Sequence, residues 1–150
     1  MANKTFEMEK LILTTKVDFD ATAAQVWKGL TDYEMVKSYF FGTELRSDFK
    51  VGSPITFSGE WDGNKYLDKG VIIDVKPGQY LKYSYWSSMS GMPDAPENYA
   101  NITYALDEKN GVTELTITQD GFKDEQAKAH SETNWQNLMG ELKKLLEIPS

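Results

Sequence analysis

The chain has 150 residues, a formal charge of −7 and 40% apolar residues, with 4 Trp, 8 Tyr, 7 Phe, one His and no cysteine. An acidic surface repels phosphate backbones, which argues against a nucleic-acid partner, and the missing thiols exclude disulfides and thiolate metal sites. The apolar content suffices for one core in a single domain over residues 1–150, and the aromatic load suits either a thick core or a sheet that encloses a ligand chamber.

Met1 to Thr5 are polar and are expected to be loose. From Lys10 to Phe19 the pattern has period two: Leu11, Leu13, Thr15, Val17 and Phe19 share one face, and only Ile12 is out of step. This predicts a half-buried strand. Two short helices are predicted next. Thr22 followed by Gln25 fits a capping box ahead of Val26, Trp27 and Leu30, and Thr31 followed by Glu34 fits a second ahead of Val36, Tyr39 and Phe40.

From about Glu44 to Gln119 the chain reads as strands. Ile55, Phe57 and Trp61 alternate with polar residues up to an Asp62-Gly63 turn. Val71, Ile73 and Val75 are expected on the inner face of the next strand, with Asp68 and Asp74 together on the outer one. After the Pro77-Gly78 turn, Leu81, Tyr83 and Tyr85 alternate with Lys82 and Ser84. Ile102, Tyr104 and Leu106 form another alternating run, and Asn110-Gly111 is the strongest hairpin signal, leading to Leu115 and Ile117. Strands joined by tight turns pair antiparallel.

At the C-terminal end the period changes. Trp135, Leu138, Met139, Leu142, Leu145 and Leu146 fall on one helical face, with Pro149 as a stop. That stripe needs a partner, and the sheet is the one element large enough. The expected fold is α+β: a curved antiparallel sheet of about six to seven strands wrapped around a long C-terminal helix, with two short helices after the first strand.

This order of residues resembles the START-like (SRPBCC, helix-grip) superfamily, and within it the family named after the activator of Hsp90 ATPase. The resemblance is carried by Val26-Trp27 with Leu30-Thr31-Asp32, Tyr39-Phe40, Val51-Gly52, Gly70 through Val75, Pro77, Leu81 and Tyr83, Thr113-Glu114-Leu115, and Trp135 spaced to Leu138 and Leu142. It covers about residues 10 to 147. One departure is Gly52-Ser53, where the family often shows two glycines. The superfamily includes lipid carriers, plant ligand-binding proteins, polyketide cyclases and co-chaperone domains, so the resemblance implies a fold and a chamber rather than one activity.

Little points to covalent chemistry. His130 reads as a solvated or capping residue, no metal-ligand spacing or phosphate loop is present, and no cofactor is expected. The expected ligand-binding set is Phe40, Trp61, Tyr83, Tyr85, Tyr104, Trp135 and Met139; alternatively these rings fill the space themselves. The loop from Trp86 to Asn98, with Met89 and Met92, is either a lid over the chamber mouth or a surface excursion. Three functions compete: binding of a small hydrophobic ligand, a protein-interaction role tested by retention on an Hsp90 homologue, and a cyclase- or hydrolase-type reaction in the same chamber. A monomer or homodimer is expected. With no signal-peptide-length apolar stretch at the N-terminus and no apolar run near ~18 residues, so is a cytoplasmic protein without membrane insertion.

Overall fold

The computed structural model describes residues 11–147; Met1 to Thr5 and Pro149 lie outside them. Among the described residues seven strands form one sheet: β1 (Leu13–Phe19), β2 (Glu44–Arg46), β3 (Pro54–Trp61), β4 (Asn64–Lys76), β5 (Tyr80–Tyr85), β6 (Ala100–Lys109) and β7 (Val112–Gln119). The helices are α1 (Ala23–Thr31), α2 (Tyr33–Tyr39) and the 22-residue α3 (Glu125–Leu146). The strand order is β1-β7-β6-β5-β4-β3-β2, every neighbouring pair antiparallel, so the sheet is open with β1 and β2 at its edges. This is the expected α+β helix-grip architecture. No described helix is long and apolar enough to cross a membrane.

Local chemistry sets the joints. Asp62-Gly63 and Asn110-Gly111 each have both residues at positive φ, the geometry of the two-residue turn that matches strand twist. The Thr22 capping box forms in full: the Gln25 amide N–H donates to Thr22 Oγ1 (3.2 Å) and the Thr22 N–H donates to Gln25 Oε1 (2.8 Å). The second cap differs from expectation. Thr31 is the last residue of α1 and donates its hydroxyl to the Trp27 carbonyl, whereas Asp32 caps α2 by accepting from the Met35 N–H. A carboxylate there meets both the free amides and the positive end of the helix dipole.

The other correction lies in β4. Ile72 is buried, while Val71 and Ile73 are 44% and 40% exposed. The register slips by one residue between Ile72 and Asp74, a β-bulge. The bulge splits the strand into two parities: Ile72 and Val75 turn inward, on either side of an extra residue. It also separates the two carboxylates, because Asp68 pairs opposite the inward Phe57 whereas Asp74 faces solvent.

The core lies between the sheet and the C-terminal half of α3. Met139 and Leu142 are fully buried, and Lys143 Nζ donates to the Asp18 carbonyl. Gln136 bonds Thr15 across the α3–β1 seam. A Cβ on Gly29 would come within 2.7 Å of Leu142 Cδ1, so the bare glycine is what lets α1 and α3 approach. Burying a leucine of this kind contributes about 1.5–3 kcal/mol.

Candidate functional site

The N-terminal half of α3 does not close onto the sheet in the same way. His130, Ser131, Asn134, Trp135 and Leu138 stand over a cavity of about 310 Å³ whose floor and wall are Phe40, Phe57, Tyr83, Tyr85, Ile102, Tyr104 and Gln119. Strand parity explains the floor. Tyr83 pairs with Ile102, and Ile102 pairs with Gln119, so these three stand in one row across β5, β6 and β7. Tyr104 occupies the adjacent row, opposite Ile117. The rings touch in a chain: Phe40–Phe57 stacked at 6.4 Å, Phe57–Tyr83 at 6.0 Å, Tyr83–Tyr104 edge-on at 5.6 Å and Tyr104–Trp135 edge-on at 5.9 Å. Such offset and edge-on contacts are the favoured aromatic geometries. An outer hollow of about 700 Å³ shares Phe40, Tyr85, His130, Asn134 and Leu138 and adds Thr43, Tyr66, Asp68, Ser87, Met89 and Ser90.

A few polar groups are set into this apolar surface. The Tyr83 and Tyr104 hydroxyls are 2.7 Å apart, and burial pushes both phenols well above their ordinary pKa. They are therefore neutral donors, not nucleophiles. The pair has two protons and one mutual bond, and a buried donor without an acceptor costs about 1–3 kcal/mol. Gln119 Oε1 accepts from the Trp135 indole N–H (2.7 Å) and the Ser131 hydroxyl (3.1 Å). An indole only donates, which fixes the amide orientation and leaves Nε2 as a donor. At the outer hollow the Tyr85 hydroxyl donates to Asp68 Oδ2 (2.5 Å) and the Ser88 N–H donates to Asp68 Oδ1. Burial, and then the Asp68 charge, raise the Tyr85 pKa.

Of the residues expected at the site, Phe40, Tyr83, Tyr85, Tyr104 and Trp135 line the cavity together. Met139 is 1% exposed and packs in the core instead. Trp61 ends β3, and its side chain lies outside the described residues. Met89 lines the outer hollow, but Met92 does not; its carbonyl accepts from the Trp86 indole. Sequence reasoning missed Phe57, Ile102, Gln119 and the polar residues of α3. Parity with Leu115 and Ile117 was the signal for Gln119. His130 is exposed at the rim and is not the cap of α3, a role taken by Asp124, which accepts from the Ala127 N–H. Among the described residues no three His, Cys, Asp or Glu side chains converge to hold a metal.

The loop after β5 is anchored on the outer face. Lys69 pairs with Asp94 at 2.5 Å, Asp94 accepts from the Tyr99 hydroxyl, and Trp86 stacks on Tyr99. Hydrogen bonds from Lys69 and Tyr99 hold the Asp94 carboxyl below its ordinary pKa. A depressed carboxylate stabilises above its unfolded pKa and loses that contribution as pH falls through the folded one. Protection of the amides over residues 87–98, taken relative to their intrinsic exchange rates, is accordingly expected to fall as pH drops through the usual carboxylate range and below it, and to lose that acid dependence in Asp94→Asn.

The sequence matches the family described as Activator of Hsp90 ATPase homolog 1-like protein over residues 20–147. A solution structure of a Cytophaga hutchinsonii protein is 41% identical, with a TM-score of 0.80 over 91% of this chain and 94% of that one. A Chromobacterium violaceum protein is similar at 19% identity and a TM-score of 0.75, covering 93% of this chain and 99% of that one. CalU16 from Micromonospora echinospora is similar at 20% identity and 0.69, covering 91% and 76%. The last two likenesses show the fold alone. No curated protein matches the chain.

Proposed function

The chain belongs to the Activator of Hsp90 ATPase homolog 1-like family, and from that premise we propose that it binds a small hydrophobic or aromatic molecule between the sheet and the N-terminal half of α3. The observation that carries this reading is the cavity itself: about 310 Å³, with six aromatic residues among those lining it. That volume is at the small end of ligand pockets, and an apolar wall with a few fixed polar groups is the usual composition of one. The phenols, held protonated by burial, favour binding over covalent chemistry.

The test is a thermal-shift screen of flavonoid, polyketide and lipid-like compounds on the full chain. A ligand at 100 times its Kd adds about 2.7 kcal/mol, which for a domain of this size raises Tm by roughly 5–10 °C. No shift across a broad panel would remove the proposal.

A further inference from the structure

Counting donors against acceptors inside the chamber defines what its occupant has to offer. Tyr83 and Tyr104 are 2% and 7% exposed, and both line the cavity. Their two hydroxyl protons serve one 2.7 Å bond, and among the described residues neither oxygen has another partner. One proton of the pair is thus left over. Gln119 Nε2 is a second donor, because its Oε1 is occupied by Trp135 and Ser131. The register sets Tyr83 and Gln119 on either side of Ile102, two strand spacings apart, about 9–10 Å between their backbones. The floor is thus an apolar strip with a donor on each flank.

Charge narrows the class further. Among the described residues no Lys or Arg lines the cavity or the outer hollow, and the imidazole of His130 is exposed at the rim they share. The carboxylate on that wall, Asp68, is engaged by Tyr85 and Ser88. An anionic head seated at the tyrosine pair would have no lysine or arginine beside it and would pass a like charge on the way in, which is costly in a desolvated site. A neutral carbonyl takes the spare proton at no such cost.

Resting on the chamber reading above, we infer that the occupant is a neutral, flat aromatic molecule with a carbonyl oxygen that accepts from the Tyr83–Tyr104 hydroxyl pair, and that the site rejects carboxylate-bearing lipids and aromatic acids. Selectivity then comes from one hydrogen bond to an otherwise unspent donor, the arrangement that discriminates best against analogues lacking the acceptor.

Three probes of one shape test this on the full chain: fluorenone, fluorene, and fluorenone bearing a carboxylate, each titrated by amide chemical-shift changes. Fluorenone is expected to bind about tenfold more tightly than fluorene and at least about tenfold more tightly than the carboxylate. The double variant Tyr83→Phe/Tyr104→Phe should bring the ketone-to-hydrocarbon affinity ratio down toward one. A single variant is less informative, because the remaining hydroxyl still donates. Removing both partners leaves no orphaned group, so the double variant is expected to fold; were it not to, the wild-type ratio of ketone to hydrocarbon decides alone. Equal affinity for fluorenone and fluorene, or a carboxylate that binds as well as the ketone, overturns the inference and leaves the chamber standing. Failure of all three to shift residues lining the cavity overturns the chamber reading itself.

Discussion

Gly70→Ala is expected to lower the melting temperature by about 6–12 °C, from a loss of about 3 kcal/mol. A Cβ built on Gly70 falls 1.6 Å from the Ser84 carbonyl oxygen, and that obstacle is backbone, which has no rotamer to change. Here β4 and β5 crowd together: the Val71 N–H donates to the Ser84 hydroxyl at 3.0 Å, and the ladder resumes at the Lys69–Trp86 bridge. Glycine inside a strand commonly marks such a close approach. The methyl would have to push β5 away from β4, which disturbs Tyr83 and Tyr85 on the chamber floor as well as the anchor of the loop. Gly140→Ala is the control. It sits inside α3 with nothing within 4 Å of the added atom, and should raise stability by roughly 0.5–1 kcal/mol. Thermal unfolding of the two variants checks both signs. An unchanged Tm for Gly70→Ala would mean that the two strands are not held at this distance.

Leu138→Trp is expected to abolish ligand binding, with an affinity loss of at least about tenfold, while Tm moves by only a few degrees. Leu138 lies on the face of α3 that borders both the cavity and the outer hollow, and it is only partly buried. A larger ring there has open space to enter, so it fills the chamber while Met139 and Leu142 stay buried in the core and hold the helix down. Calorimetric titration with any compound that passes the thermal screen is the measurement. Retained affinity would place the ligand elsewhere on the protein.

Much of the framework was legible because it rests on short-range signals. The period-two run ending at Phe19, the two glycine hairpins and the stripe from Trp135 to Leu146 each depend on a few neighbouring residues. The bulge in β4 was not, because nothing local distinguishes Ile72 from Val71 and Ile73: all three are β-branched, and only pairing with Tyr83 decides which turns inward. The misplacement of Asp68 followed from the same cause. At the site, the tyrosines were legible from parity. The contribution of α3 was not, since Ser131 and Asn134 look like solvated positions until the helix is seen to stand away from the sheet at that end. Met139 shows the converse. It shares its stripe with Trp135, but one further turn of helix moves it from chamber to core.

The pairing of β1 with β7 has a consequence for how the chain is made. Leu13 bonds across to Gln119 and Phe19 to Thr113, so the first described strand finds its partner only after roughly a hundred further residues. At a synthesis rate of about 5–20 residues per second, β1 waits some 5–20 seconds, with Leu13, Val17 and Phe19 uncovered. The hairpin of β6 and β7 can form as soon as it emerges, but the edge that receives β1 and the helix that packs against it both come last. Long-range closure of this kind slows folding and leaves a hydrophobic strand unprotected meanwhile. The nascent chain is therefore expected to remain protease-sensitive until α3 has left the ribosome, and to become resistant in one late step.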